Sequence, residues 1–136
     1  MALAYNPVLN SLASVTESDF GLWSLDQISV VKHDLPSKAL CCDWSPDGQI
    51  LAIGLYNGKI ILRDKQGGKL SEMSKGESPV WSLAFCPNKF ESSDNTLAIG
   101  TWDERLSFYS ISQGKEFTQV GQDKKLGFDP LSISYF

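Results

Sequence analysis

The sequence has few basic residues and no long apolar run. Its 136 residues include 12 Lys and Arg against 16 Asp and Glu, which gives a net charge of −4 and a pI near 4.9. Proteins that bind phosphate backbones normally carry a basic patch or stripe, so nucleic acid is not expected as a partner. The longest apolar stretch, Ile50 to Tyr56, is far shorter than the roughly 20 residues of a membrane helix, and direct membrane insertion is not expected either.

Groups on which catalysis or metal binding could be built are also scarce. His33 is the only histidine, and the sequence predicts that it lies in a solvated loop. A hydrolytic site would need a nucleophile and an oxyanion hole around it, and no motif supplies them. The cysteines, Cys41, Cys42 and Cys86, lack the spacing of structural zinc sites and are expected to be reduced, intracellular thiols. We therefore expect no enzyme activity, no cofactor and no bound metal.

An internal repeat dominates the sequence. An aromatic residue followed two positions later by proline occurs three times, at intervals of 39 and 41 residues, in Tyr5-Asn6-Pro7, Trp44-Ser45-Pro46 and Phe85-Cys86-Pro87. Leu-Ala pairs follow each copy at intervals of 39 and 46 residues, in Leu12-Ala13, Leu51-Ala52 and Leu97-Ala98. The longer interval contains the polar run from Asn88 to Asn95, which predicts a lengthened loop between two strands.

Each copy is predicted to be an antiparallel meander of four strands. Short runs of branched and aromatic residues alternate with Asp-Gly, Asn-Gly and Gly-Gly pairs, which are typical of tight hairpins. No window shows a helical period, so no helix is expected. In the middle copy the predicted strands are Ala39–Ser45, Gln49–Leu55, Lys59–Asp64 and Lys69–Ser74. Asn57-Gly58 is the strongest hairpin signal and predicts a type I′ turn, in which both central residues have positive φ.

Four short strands at a period of about 40 to 45 residues resemble the blades of WD-repeat β-propellers. The aromatic-Ser-Pro-Asp-Gly turn of those blades is complete from Trp44 to Gly48, and Asn57 to Asp64 follows their next strand except that Arg63 replaces tryptophan. The resemblance implies an all-β fold of three antiparallel four-stranded blades in an incomplete, open ring. We expect blades at about residues 1–34, 35–76 and 77–122, with 123–136 as the start of a further blade.

Six residue strings are more particular than the general WD pattern. They are Ser18 to Ser24, Cys41-Cys42-x-Trp44, Leu51 to Ile60, Pro79-x-Trp81-Ser82, Ser107 to Tyr109 and Phe128 to Phe136. In this order they resemble the amino-terminal propeller of the intraflagellar transport protein 122 family, the WD-repeat subunit of intraflagellar transport complex A. The resemblance implies a non-enzymatic interaction scaffold for retrograde ciliary transport and cilium assembly. The implied partners are other complex A subunits, and the implied locations are the cytoplasm, the cilium and the ciliary base.

Two alternatives remain at this stage. The chain is also compatible with a propeller fragment of another WD-repeat adaptor, such as a ubiquitin-ligase substrate receptor that binds peptides, or with a truncated product that has no independent role. Family members are longer, so the chain is expected to be a fragment or a truncated isoform. Two open blade faces with about six large apolar side chains would forgo about 12 kcal/mol of burial. Typical domains have a stability of only about 5–15 kcal/mol, and the isolated chain is therefore expected to self-associate.

Candidate partner-binding residues follow from the repeat. Thr16, Tyr56 and Trp102 each come just before the hairpin between the second and third strands, so blade symmetry predicts that they share one rim. Large aromatic side chains and arginine are the anchors that protein interfaces favour, which makes Tyr56, Trp102 and the neighbouring Arg105 the candidate contact patch. The alternative is that Trp102 packs across its own blade, because tryptophan is often buried in sheets.

Overall fold

The computed structural model describes residues 2–24, 30–87, 94–113, 115–128, 130 and 132–133. These residues form three antiparallel sheets. They include no helix that is long and apolar enough to cross a membrane. The predicted all-β class, with three four-stranded antiparallel units in sequence order, is confirmed.

Strands that are consecutive in the chain are neighbours in each sheet. The first sheet contains β1 (Ala2–Tyr5), β2 (Ser11–Val15), β3 (Asp19–Ser24) and β4 (Val31–Asp34). The second contains β5 (Ala39–Trp44), β6 (Ile50–Leu55), β7 (Lys59–Asp64) and β8 (Lys69–Ser74). The third contains β9 (Val80–Phe85), β10 (Asn95–Thr101), β11 (Arg105–Ser112) and β12 (Glu116–Gln119), with the short β13 (Lys124–Lys125) on the same outer edge. The strands of the second sheet confirm those predicted for the middle copy to within one residue at each end.

The turn type predicted for Asn57-Gly58 is wrong. Gly58 has a φ of 87°, but Asn57 keeps a negative φ, whereas a type I′ turn needs both residues to be left-handed. Three residues connect β6 to β7, and the Gly58 N–H donates to the Leu55 carbonyl at 3.2 Å. In such a three-residue connection only the last residue is left-handed, and the Asn57 side chain is free to accept the Lys59 N–H at 3.1 Å.

The outer edge of the third sheet is interrupted by a bulge. Gln119 of β12 lies opposite Tyr109, and Lys124 of β13 lies opposite Leu106. The five residues from Val120 to Lys124 therefore lie opposite only three residues of β11, Phe108 to Leu106. The Val120 N–H still donates to the Phe108 carbonyl at 2.8 Å, and the extra length lies between Val120 and Lys124. Lys124 and Lys125 pair with Leu106 and Arg105 of β11 in the third sheet. The remaining blade boundaries stay predictions.

Each sheet has two different faces, because successive side chains of a strand point to opposite sides. The second strand of every sheet carries a leucine on one side, which we call the leucine face, and an alanine at the next position, which marks the alanine face. The leucines are Leu12, Leu51 and Leu97, and the alanines are Ala13, Ala52 and Ala98. The strand registers agree between the sheets, so the residues that lie opposite these leucines and alanines hold equivalent positions in all three copies of the repeat.

The alanine face of one sheet packs on the leucine face of the next. Between the first and second sheets, the buried cluster joins Ala13, Val15 and Phe20 of one alanine face to Trp44, Leu51, Ile53 and Ile61 of the next leucine face. Between the second and third sheets, Ala52, Ile60 and Leu62 meet Leu83, Phe85, Leu97 and Ile99 in the same way. The two junctions are therefore built on one pattern, and burial of each large apolar side chain contributes about 2 kcal/mol.

Polar groups also cross both junctions. The Trp44 indole N–H donates to the Ala4 carbonyl of the first sheet at 3.1 Å. The Asp43 carboxylate accepts the Phe85 N–H of the third sheet at 2.8 Å. Burial raises the pKa of Asp43, and the hydrogen bonds from the N–H groups of Phe85 and Trp44 offset part of that effect. These bonds fix the register of one sheet on the next.

The prediction that His33 lies in a solvated loop is wrong. His33 is part of β4, and its ring stacks on the buried Phe20 ring with centroids 4.8 Å apart and an interplanar angle of 18°. The guanidinium of Arg63, from the second sheet, lies 5.2 Å from the centre of the same Phe20 ring. His33 is thus a packing residue near the first junction, because the tripeptide Lys32-His33-Asp34 pairs with β3 at the edge of the sheet.

Candidate interaction surface

Two loops of neighbouring sheets lie on one rim of the molecule. The first contains Tyr56 and connects β6 to β7, and the second contains Trp102 and connects β10 to β11. The segment from Lys75 to Pro79, which joins the second and third sheets, is bonded to both loops. Its Lys75 N–H donates to the Gly58 carbonyl at 3.0 Å, and its Pro79 carbonyl accepts the Trp102 N–H at 2.9 Å. We call this surface the 56–102 rim.

Tyr56 and Trp102 are half-exposed on this rim, with 50% and 49% of their surfaces accessible to solvent. The Trp102 ring also packs on the Trp81 ring, with centroids 5.9 Å apart and an interplanar angle of 60°. Trp102 therefore packs within its own sheet, as the alternative interpretation expected, and it still offers apolar surface to solvent, as an interface residue would. A ring held by such packing loses little conformational freedom when a partner binds. This low entropic cost is favourable for a side chain that acts as an interface anchor.

The sequence did not indicate that the half-buried Trp81 supports Trp102 on this rim. The register of β9 against β10 passes from Ser82 directly to Val80, so Trp81 is the extra residue of a β-bulge. The first strand of the second sheet has the same irregularity at Leu40. Bulges turn a side chain away from the direction that strict alternation gives it, and here the bulge coincides with the Trp102 contact. Leu40 and Trp81 hold equivalent positions in the two copies. Comparing them is the only sequence signal that could have indicated this bulge.

Arg105 is held at the same end of the third sheet by acidic neighbours. Its guanidinium lies 3.2 Å from the Asp103 carboxylate and 3.8 Å from the Asp123 carboxylate, and about half of its side chain is exposed. Asp123 also accepts the Lys75 ammonium at 2.7 Å, the Ser107 hydroxyl at 2.7 Å and the Gln119 amide at 2.7 Å. Arg105 is therefore a positioned group whose charge is already largely matched within the chain.

Asp123 is the centre of this polar network. Burial acts to raise its pKa, but the hydrogen bonds from Lys75, Ser107 and Gln119 and the charge of Lys75 outweigh burial and hold the pKa below its usual value. Asp123 therefore stays ionised at neutral pH. Its ion pair with Lys75 ties the segment between the second and third sheets to the bulged outer edge of the third sheet. No sequence pattern indicated this contact, which joins residues 48 positions apart.

The corresponding loop of the first sheet differs from the other two. The Thr16 hydroxyl donates to the Asp19 carboxylate at 2.9 Å, and the Thr16 carbonyl accepts the Ala39 N–H at 3.2 Å. The Thr16 loop thus contacts the start of the second sheet, as the Tyr56 loop contacts the segment that leads into the third sheet. Unlike the Tyr56 loop, it presents no aromatic ring. The candidate anchors are confined to the second and third sheets.

The cysteines lie on different sides of the second sheet and beside the third. Cys41 packs against the cluster between the second and third sheets, and Cys42 packs against the cluster between the first and second. Burial raises the pKa of Cys41, with a further contribution from Cys42, and burial together with the charge of Asp43 raises the pKa of Cys42 to about 12. Neither thiol forms appreciable thiolate at neutral pH. Within the described ranges, no group of three or more potential metal ligands is found.

Alkylation should therefore be selective. We expect iodoacetamide at pH 7.5 to modify Cys86 at least about 10-fold faster than Cys41 or Cys42 in the folded chain, because the thiolate is the reactive form. Peptide mapping by mass spectrometry at successive times measures the three rates. In urea all three thiols should react at similar rates, which serves as the control. Equal rates in the folded chain would contradict the packing of Cys41 and Cys42 described above.

Comparison with known proteins identifies the repeat. The sequence matches the family model described as the IFT122 first beta-propeller over residues 1–136. The chain belongs to this family. It is 47% identical over 137 residues to the intraflagellar transport protein 122 homologs of Xenopus tropicalis and Mus musculus. Each alignment covers 98% of this chain but only 11% of the relative, so the chain spans about a tenth of the length of these IFT122 relatives.

Solved structures show the fold of this IFT122-family chain. The RRP9 WD40 repeats superpose with a TM-score of 0.75 at 19% identity, covering 94% of this chain and 39% of theirs. The computationally designed Ika4 protein superposes with a TM-score of 0.75 at 16% identity, covering 99% of this chain and 78% of its own. The three sheets are therefore blades of a WD-repeat β-propeller, and they form an open arc rather than a closed ring. The predicted fold class is confirmed.

Proposed function

We propose that this chain is a non-enzymatic protein-interaction scaffold that forms part of a subunit of intraflagellar transport complex A. In this role it acts in retrograde ciliary transport and cilium assembly, in the cytoplasm, at the ciliary base and in the cilium. Its partners are other complex A subunits. The match to the IFT122 first propeller over residues 1–136 carries the proposal. The alternative of a ubiquitin-ligase substrate receptor has no comparable observation in its favour.

The 56–102 rim supports a binding role. It presents two half-exposed aromatic rings on adjacent blades, and a single segment bonded to both loops holds them in place. Interfaces draw most of their binding energy from a few such anchors, which are enriched in Trp, Tyr and Arg. We assign Tyr56 and Trp102 as the anchors. Arg105, which is paired with Asp103, orients the edge of the contact.

Alanine at Tyr56 and Trp102 tests this assignment. In the tagged full-length protein, the double variant should co-purify other complex A subunits at least about 30-fold less efficiently, because truncating two anchors removes at least about 2 kcal/mol of binding free energy. Its melting temperature should stay within about 2 °C of the unmodified protein, since both side chains are half-exposed. Quantitative mass spectrometry of the purified complexes measures the first effect, and differential scanning calorimetry the second.

A matched control separates the rim from general surface change. Val120 is 51% exposed on the bulged edge of the third sheet, and Val120→Ala should leave co-purification unchanged. A large fall in melting temperature for the double variant would place Tyr56 and Trp102 in the core instead. Failure of the unmodified full-length protein to retain any complex A subunit would overturn the proposed function itself.

A further inference from the structure

One connection in the second sheet contains two neighbouring residues that can react with each other. Asparagine occurs at positions 6, 10, 57, 88 and 95, and only Asn57 is followed by glycine. Asn57 is exposed in the connection from β6 to β7, and Gly58 has no Cβ to shield the backbone nitrogen that follows the Asn57 side chain. A nitrogen nucleophile and an amide carbonyl are therefore adjacent in one surface turn.

The reaction open to this pair is deamidation. The Gly58 backbone nitrogen attacks Cγ of Asn57 and forms a C–N bond, the Cγ–Nδ2 bond breaks, and ammonia leaves with the proton lost from the Gly58 N–H. The product is a cyclic imide, which water opens by breaking one of its two C–N bonds. Attack of water at Cγ gives aspartate, and attack at the backbone carbonyl carbon gives isoaspartate. Because the first step joins groups of one chain it is unimolecular, and water is the only co-reactant.

The turn restrains the two reacting groups only weakly. The Gly58 N–H donates to the Leu55 carbonyl at 3.2 Å, at the long end of the usual N–H···O range of about 2.7–3.2 Å. The Oδ1 atom of Asn57 accepts the Lys59 N–H at 3.1 Å, so the side chain is turned toward the backbone that follows it. Because Tyr56 and Asn57 are both exposed, a local opening of the loop lets water replace these bonds, and the sheet need not unfold.

The other asparagines that the structure describes are poorer candidates. Asn6 is fully buried and precedes proline, which has no N–H proton to lose. Asn95 is 4% exposed and lies within β10, where the bonds between strands hold the backbone. Asn10 is exposed like Asn57, but it precedes serine, whose Cβ crowds the attacking nitrogen, and its side chain accepts the Tyr5 hydroxyl at 3.1 Å. Asn10 is therefore the matched comparison for Asn57.

Isoaspartate at position 57 would alter the backbone at a closely packed point. Its main chain runs through Cβ and Cγ, so the turn gains one backbone atom, and the former backbone carbonyl becomes a carboxylate branch. Gly58 has a φ of 87°, and its carbonyl accepts the Lys75 N–H at 3.0 Å. The Gly76 carbonyl leaves no room for even a Cβ on Gly58. A lengthened turn displaces Gly58 and breaks these contacts, whereas the aspartate product keeps the original backbone and changes only the charge.

We propose that Asn57 is a modification site, at which deamidation to isoaspartate releases the segment from Lys75 to Pro79 from the connection between β6 and β7. The segment keeps its other attachment, the Pro79 carbonyl that accepts the Trp102 N–H at 2.9 Å. Modification therefore loosens one side of the 56–102 rim and places a negative charge next to Tyr56. The inference concerns chemistry within the chain and does not rest on the proposed function.

Incubation of the folded chain in heavy-oxygen water at mildly alkaline pH tests the site. Peptide mapping by mass spectrometry should show modification of Asn57 at least about 10-fold faster than of Asn10, because crowding at Asn10 misplaces the reacting atoms. The product should carry one heavy oxygen atom, electron-transfer fragmentation should identify isoaspartate, and Asn57→Ser should abolish the modification. Equal rates at the two asparagines, or no labelled product at Asn57, would overturn the assignment.

Hydrogen exchange on the separated isoaspartyl chain tests the release of the segment. The Lys75 N–H should exchange at least about 10-fold faster than in the unmodified chain because it loses its acceptor, whereas the Trp102 N–H should keep its protection. Asn57→Asp is the matched control, since it carries the new charge on the original backbone and should leave Lys75 protected. Unchanged protection of Lys75 in the isoaspartyl chain, an equal loss in Asn57→Asp, or a loss throughout the chain would each contradict the proposal.

Discussion

Gly58→Ala should reduce the free energy of unfolding of the chain by about 3 kcal/mol or more, a large fraction of the stability of a typical domain. Gly58 has a φ of 87°, and left-handed backbone costs an L-residue about 1–2 kcal/mol. A Cβ at this position would also overlap the backbone carbonyl of Gly76, which belongs to the segment between the second and third sheets. Because that segment is bonded to both loops of the 56–102 rim, neither partner is free to move away.

Gly121→Ala is the matched control for Gly58→Ala. Gly121 has a similar φ of 75°, but no atom would lie within 4 Å of an added Cβ. Its substitution should therefore cost only the backbone strain, about 1 kcal/mol. Urea unfolding monitored by tryptophan fluorescence, at a concentration below that of association, measures both. Equal losses for the two variants would show that the Gly76 contact is not rigid.

Leu51→Ala should destabilise the chain by about 2–5 kcal/mol, the range found for leucine truncation in close-packed cores. Leu51 is fully buried in the cluster at the first junction, which also contains Ala13, Val15 and Phe20 of the preceding alanine face. Its removal leaves a cavity that neither of the two sheets fills, because their register is also fixed by the Trp44 hydrogen bond to Ala4. The same urea measurement applies.

Leu12→Ala provides the comparison at the equivalent position. Leu12 has the same place in the first sheet and is also followed by alanine, but no other sheet formed by the described residues packs on its face, and its side chain is only partly buried. Truncation of Leu12 should cost about 1 kcal/mol, because the folded chain buries less apolar area at Leu12 than at Leu51, so less burial is lost. A loss at Leu12 as large as that at Leu51 would show that the leucine face of the first sheet is covered in solution.

The strands could be predicted from the sequence because local signals agree at each level. Alternating apolar residues, turn glycines and the aromatic-x-Pro repeat all place the four strands of the middle copy within one residue of their observed ends. The rim position of Tyr56 follows from the same repeat. Conformation inside a turn is less well determined: Asn57-Gly58 is compatible with two loop lengths, and the three-residue connection between β6 and β7 decides against type I′.

Contacts between distant segments could not be predicted in the same way. Trp81 lies in a bulge, so its direction does not follow from alternation along β9. His33 stacks on Phe20 because β3 and β4 pair, and the polar sequence Lys32-His33-Asp34 gives no sign of that pairing. Asp123 meets Lys75 only because the outer edge of the third sheet loops out between β12 and β13. Each of these features depends on tertiary geometry rather than on local preference.

The recurring alanine at one place in each sheet has an evolutionary consequence. It gives the apolar part of both junctions one pattern, so duplication or loss of one whole unit of about 40 residues would preserve the apolar packing of the new neighbours. Only the polar bonds, which differ between the two junctions, would have to change with the number of units.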